Sequence, residues 1–192
     1  MFKIVLISGK SGHGKDTFAV NLTKELEKNN ILVKEFHFAD SLKHFLRDYC
    51  DWDGKKDERG RQLLQEVGTE LMGTASTFWA DTTGVYMMLA FRFFNKEHKN
   101  IVFIVPDLRF RKELSCIYSM IRAENIITVR LSRLNEDRSP YQNPTLTDAQ
   151  LKHISETNLD NYTKFMYNYS FHSLEENAQC AAELAKEIYQ ND

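Results

Sequence analysis

Phe2-Lys3-Ile4-Val5-Leu6-Ile7-Ser8-Gly9-Lys10-Ser11-Gly12-His13-Gly14-Lys15-Asp16-Thr17 is the stretch that decides how the chain folds. Ile4 to Ile7 is a continuous apolar run of the kind found in parallel strands covered on both faces, and a glycine-rich turn follows at once. Phe18, Leu22 and Leu26 then recur every four residues, one apolar helical stripe that ends at Asn29-Asn30. Strand, Gly-x-x-x-x-Gly-Lys and helix, in that order, are the parts of a phosphate-binding P-loop. The glycines let the backbone curl so that N–H groups face inward, the helix N-terminus adds partial positive charge, and Lys15 reaches the terminal phosphates. Gly9, Ser11, Gly12, His13, Gly14, Lys15, Asp16 and Thr17 are therefore the expected ATP-binding residues. Asp16 stands where Ser or Thr usually follows the lysine. Magnesium prefers oxygen ligands, so Asp16 or Thr17 is the candidate Mg²⁺ contact of this loop. The alternative for Asp16 is an acid favoured only by the helix dipole.

Further along, a second strand is expected from Ile31 to Phe38. Helix-prone segments follow at 40–50, 58–72 and 77–95, with turn signals at Asp53-Gly54 and Gly73. Strand character returns in Ile101–Val105, ended by Pro106, and in Ile126–Leu131, with a crossover helix from Phe110 to Ala123 between them. Asn135 to Asp148 is polar and contains Pro140 and Pro144, which reads as a lid. A tyrosine-rich fifth strand is expected near Phe165–Phe171. Leu174, Ala178, Ala181, Ala185 and Ile188 mark a last helix. Such alternation implies right-handed crossovers, hence an α/β, three-layer P-loop NTPase fold: a parallel sheet of about five strands with helices on both faces. The expected organisation is one domain over 1–192, with a helical acceptor-binding insertion at about 40–95 and an arginine-bearing lid at about 133–148. Ligands in such sheets bind at the carboxyl ends of the strands.

Composition narrows the function class. The 192 residues are 42% hydrophobic and 27% charged, with eight Gly and three Pro, an ordinary globular balance. Lys plus Arg number 25 against 27 Asp plus Glu, so the net charge of -2 lacks the basic excess of a protein that coats nucleic acid, and no polymer partner is expected. Cys50, Cys116 and Cys180 are far apart and form no Cys-x-x-Cys pair, which points to a reducing cytoplasm. The apolar start is too short to span a bilayer and lacks a cleavage site, so no membrane partner is expected. The six histidines show no metal-ligand spacing. Phe91, Phe93 and Phe94 read as core, since no basic groove accompanies them.

Several segments, taken in order, resemble the deoxynucleoside monophosphate kinases of bacteriophages and their relatives. They are Gly14-Lys15-Asp16-Thr17, Phe38-Ala39-Asp40-Ser41-Leu42-Lys43, Arg61-Gln62-Leu63-Leu64-Gln65-Glu66-Val67-Gly68-Thr69 with Trp79 downstream, Asp107-Leu108-Arg109-Phe110, and His153-Ile154-Ser155-Glu156 ahead of Leu159-Asp160. The chain departs from the family's usual turn at Ser170-Phe171-His172. The resemblance implies transfer of the γ-phosphoryl group of ATP to a deoxynucleoside 5′-monophosphate, with Mg²⁺ as cofactor, and a homodimer rests on it alone. Phosphoryl transfer needs positioning and positive charge rather than covalent help. Lys15, Arg109 and Arg133 are the expected catalytic cations, the last as a lid residue; Asp107 is expected to hold magnesium-bound water or to orient Arg109. Arg61 and Gln65 share a helix face, where a guanidinium suits a monophosphate and an amide suits a base edge. Gly68 would permit close approach and Trp79 is expected as an aromatic wall, with a place in the core as its alternative, while Asp40 and Lys43 follow from the resemblance. The rival readings are a kinase of another small metabolite such as dephospho-coenzyme A, and a nucleotide-dependent switch module.

Overall fold

Alternation within the first apolar run sets the two faces of the sheet. In the computed structural model, which describes residues 1–55, 57–71 and 77–190, Ile4 and Leu6 pack into one apolar cluster and Val5 and Ile7 into another. Successive strand side chains point to opposite faces, so a run with no polar member must be covered twice. β1 (Phe2–Ser8), β2 (Leu32–Glu35), β3 (Ile101–Leu108), β4 (Ile126–Arg133) and β5 (Tyr167–Phe171) form one sheet in the order β2-β3-β1-β4-β5, with every neighbouring pair parallel.

Two helices, α1 (Lys15–Glu27) and one at the end of the described chain, cover the Val5/Ile7 face through Phe18, Leu22, Leu26, Ala181, Leu184 and Ile188. The opposite face is covered by two others through Met87, Leu114 and Ile117. In chain order the remaining helices are α2 (Ala39–Tyr49), α3 (Glu58–Gln65), which continues as a π-helical turn over Glu66–Leu71, α4 (Phe78–Phe94), α5 (Arg111–Met120), the short α6 (Asp148–Lys152) and α7 (Ile154–Thr157), and the terminal α8 (Leu174–Gln190). Leu42, Leu46, Trp52 and Val67 make a small third cluster between α2 and α3. Within the segment 40–95, α4 instead buries Ala80 and Met87 in the sheet cluster.

Three expectations change. The third strand does not stop at Pro106 but runs to Leu108, because the β1–β3 register shifts between Leu6 and Ser8 and β2 pairing ends at Glu35, opposite Ile104. Proline is tolerated at such a bulge beyond the neighbouring strand, where its missing N–H breaks no ladder bond. The second strand is shorter than Ile31–Phe38, since Phe38 and Ala39 enter the capped start of α2. Phe93 is 66% exposed rather than core. Residues two apart on a helix lie on nearly opposite sides, and Phe91 takes the sheet side. The expected turn at Gly73 lies outside the described residues. Among the described residues no helix is long and apolar enough to cross a membrane.

Candidate active site

β1 ends in the middle of the sheet, so the loop after Ser8 opens between the carboxyl ends of β3 and β4, where an α/β sheet binds its ligands. Gly12 and Gly14 have φ of 78° and 68°, the left-handed region that side chains disfavour. The loop is pinned from several sides. His13 is buried; its Nδ1 lies 3.4 Å from the Leu131 carbonyl and 3.3 Å from the Arg133 N–H, and its Nε2 lies 3.3 Å from the Tyr141 carbonyl. Burial holds the His13 pKa below its ordinary value, against the opposing pull of the Leu131 and Tyr141 carbonyls. Asn177 of α8, 1% exposed, donates from Nδ2 to the Gly14 carbonyl (3.4 Å) and accepts from Asn21 (3.1 Å). The Asn143 amide donates to the Ser11 hydroxyl (3.1 Å).

Lys15, at the start of α1, donates from Nζ to the Gly9 carbonyl (2.8 Å) and the Lys10 carbonyl (3.0 Å). Burial first, and the neighbouring Arg109 second, lower its pKa to about 8. Arg109 follows β3. Its guanidinium donates to the Ser155 carbonyl (3.2 Å) and pairs with the Glu156 carboxylate. The other Glu156 oxygen accepts from the Ser11 N–H (2.8 Å), which ties the segment around α7 to the P-loop. Glu113 accepts from the Arg109 and Phe110 N–H groups (2.7 and 2.9 Å), and burial pushes its pKa up to about 8. Asp107 accepts from the Phe38 and Ala39 N–H groups (3.0 and 3.1 Å), so it caps the start of α2; its sequence assignment was to magnesium-bound water or to Arg109.

A single cavity of about 630 Å³ runs from the P-loop to the helical segment after β2. The P-loop, the start of α1 and the end of β3 contribute Ser11, Gly12, Lys15, Asp16, Asp107 and Arg109 to its lining, and the helical segment contributes Lys43, Arg61, Gln65, Gly68 and Trp79. Gly68 lies in the π-helical turn, a distortion often found at functional sites. The Trp79 Nε1–H is buried and has no hydrogen-bond partner among the described residues. Glu35 and His37, 2.8 Å apart, add a polar wall at the end of β2.

Six expected site residues do not line this cavity: Gly9, His13, Gly14, Thr17, Asp40 and Arg133. His13 and Gly14 shape the loop. Asp40 holds the Lys43 ammonium at 2.8 Å. Arg133 is stacked on the Tyr141 ring, 4.1 Å from its centroid, and donates to the Gly12 carbonyl (3.4 Å), so the ring and the loop carbonyl keep it outside. From the expected lid at 133–148 Leu146 lines the cavity, and Gln150, His153, Ser155 and Glu156 of the segment that follows line it as well.

Among the described residues no group of three or more His, Cys, Asp or Glu is placed to hold a metal. The exposed carboxylate of Asp16 lines the cavity, and both Asp107 oxygens are engaged by amides. Magnesium keeps several waters and takes one or two carboxylates together with substrate phosphates, so Asp16 beside a bound triphosphate fits it.

Glu156, Asn177, Glu113, Glu35 and His37 were not singled out as site residues from the sequence. Asn177 carried a readable signal, as a polar residue in the apolar stripe of α8; Glu156 stood in the His153-Ile154-Ser155-Glu156 segment of the resemblance, but nothing in its spacing gave it a role.

Two solved structures share this architecture. The APS kinase of Mycobacterium tuberculosis in complex with AMPPNP and APS is 15% identical, with a TM-score of 0.50 over 96% of this chain and 98% of that one. A sugar kinase from Janibacter sp. HTCC2649, unliganded, is 12% identical, with a TM-score of 0.51 over 99% and 95%. The chain has their fold. No protein-family model matches the sequence, and no curated protein matches it.

Proposed function

We propose that the protein is a P-loop kinase that transfers the γ-phosphoryl group of ATP to a deoxynucleoside 5′-monophosphate. One observation carries the reading: a single cavity is lined both by Lys15 and Arg109 and by Lys43, Arg61, Gln65 and Trp79, so two anionic partners can meet within it. The ordered sequence resemblance supports the acceptor class. The shared fold with a kinase solved with AMPPNP and APS supports ATP as donor.

In this reading the donor triphosphate lies on the amides of Gly9–Lys15, and Lys15 swings from the Gly9 and Lys10 carbonyls to its phosphates. Arg61 takes the acceptor's monophosphate with a charge-assisted fork, Gln65 reads the base edge, and Trp79 walls the base. An acceptor phosphate oxygen attacks the γ-phosphorus, the bond from that phosphorus to the β,γ-bridging oxygen breaks, and ADP leaves with the electron pair. The acceptor is already an anion, so no strong base is required. Lys15 and Arg109 offset the charge spread over the transferred group. Asp16 would hold Mg²⁺, which when bound neutralises phosphate charge.

An ADP-release assay over deoxy- and ribonucleoside monophosphates, with APS and dephospho-coenzyme A included, tests the proposal. Saturable turnover with one or two deoxynucleotides is expected, and Arg61→Ala should raise the acceptor KM at least about tenfold, the loss of one charge-assisted contact. ATP binding by folded protein with no acceptor-dependent turnover would sink the kinase reading.

A further inference from the structure

Glu156 is the acid that the mechanism leaves unused. Its side chain is 8% exposed, and its two oxygens are both committed, one to the Arg109 guanidinium and one to the Ser11 N–H at 2.8 Å. These are two of the donors that a phosphate in the P-loop would use. A carboxylate and a phosphate oxygen offer the same charge-assisted acceptor to an amide or a guanidinium. Nearby cations are held in the same way. Asp160, four residues later, pairs with Lys10 and Arg130, each at 2.9 Å, and Ser155 gives its carbonyl to Arg109.

We propose that Glu156 is an internal stand-in for a phosphate, which holds the Ser11 amide and Arg109 until the donor nucleotide arrives and is displaced by it. Displacement follows from three features. The Ser11 N–H has one hydrogen to give. A polyphosphate next to a nearly buried carboxylate brings like charges together where solvent screening is weak. And the element that carries Glu156 is a single turn, α7, whose Ile154 is 39% exposed and so anchors it weakly. Glu156 is thus a positioning residue that acts through Ser11 and Arg109 and lowers donor affinity. The proposal rests on the reading of Gly9–Lys15 as a phosphate seat, not on the identity of the acceptor.

Isothermal titration of the full chain with ATP and Mg²⁺, and separately with adenosine, tests it in wild type, Glu156→Gln and Glu156→Ala. Both variants should bind ATP at least about fivefold more tightly, with adenosine affinity unchanged, because only the phosphates compete with the carboxylate. Equal or weaker ATP binding by either folded variant overturns the proposal, as does an equal gain for adenosine. Hydrogen exchange on wild type covers variants that fail to fold: ATP should speed exchange of amides 154–157 relative to adenosine, and unchanged or slower exchange overturns the displacement. Wild type that does not bind ATP overturns the phosphate seat and this proposal together. Binding without turnover bears only on the proposed kinase activity.

Discussion

Replacing Lys15 by Met should leave the ligand-free protein about as stable at neutral pH and clearly less stable in alkali, although it should abolish the proposed phosphoryl transfer. Burial lowers the Lys15 pKa from 10.5 to about 8. Between these values the unfolded chain binds more protons than the native one, so wild-type stability rises with pH through this window. Below about pH 8 the charged ammonium costs the fold its full penalty, 2.5 units or about 3 kcal/mol. Methionine removes that penalty but also removes two hydrogen bonds, to the Gly9 and Lys10 carbonyls, worth about 1 kcal/mol each. The balance at pH 7 is a gain of about 1 kcal/mol, or roughly 2–4 °C in Tm for a chain of this size. At about pH 9.5 most of the wild-type penalty has gone, so the comparison swings by about 2 kcal/mol and the variant becomes the less stable protein. Urea unfolding of both proteins at the two pH values reads the swing directly. A stability difference that does not change between them would refute the buried, depressed lysine, whatever its sign at pH 7.

Two other outcomes follow from buried contacts. Asn177→Ala removes the bonds to the Gly14 carbonyl and Asn21, and should cost about 1–2 kcal/mol in urea unfolding while weakening ATP binding; intact ATP affinity would mean that α8 does not hold the loop. Burial and the adjacent Asp81 carboxylate push the Cys116 thiol up to about 12, so mass mapping after iodoacetamide treatment near pH 8 should find Cys116 unmodified in native protein and modified in denaturant. Labelling in the native state would contradict that environment.

Local signals made most of the fold legible. The run Ile4–Ile7 needs covering on both faces by its composition alone, and the stripe Phe18, Leu22, Leu26 says where one cover comes from. Pro106 misled because its effect depends on a register shift against β1, which no reading of β3 by itself reveals. The candidate site divides in the same way. Gly9 to Lys15 is contiguous and so was readable, whereas Glu156 meets Ser11 across 145 residues and Asn177 meets Gly14 across 163. Arg133 shows the limit from the other side: the end of a neighbouring strand was the right place to look for a cation, but a tyrosine eight residues later decides which way the guanidinium turns.

The net charge of -2 takes on a different meaning once the partners are known. Lys10 and Arg130 share Asp160, Arg109 has Glu156, Lys43 has Asp40, and Lys15 leans on the carbonyls of its own loop. These cations in and beside the cavity are therefore not a bare positive cluster waiting for an anion: all but Lys15 already face a carboxylate, and Lys15 faces two carbonyls. On the proposed displacement, binding a nucleotide there exchanges one anion for another, and its free energy is the difference between two favourable pairings rather than the sum of new ones. Such a seat stays folded and close to neutral without its ligand, and it can be tuned by the acid that leaves as readily as by the cation that stays. The proposal thus puts the control of donor affinity on residues 154–160, a segment whose acids the P-loop pattern does not mention.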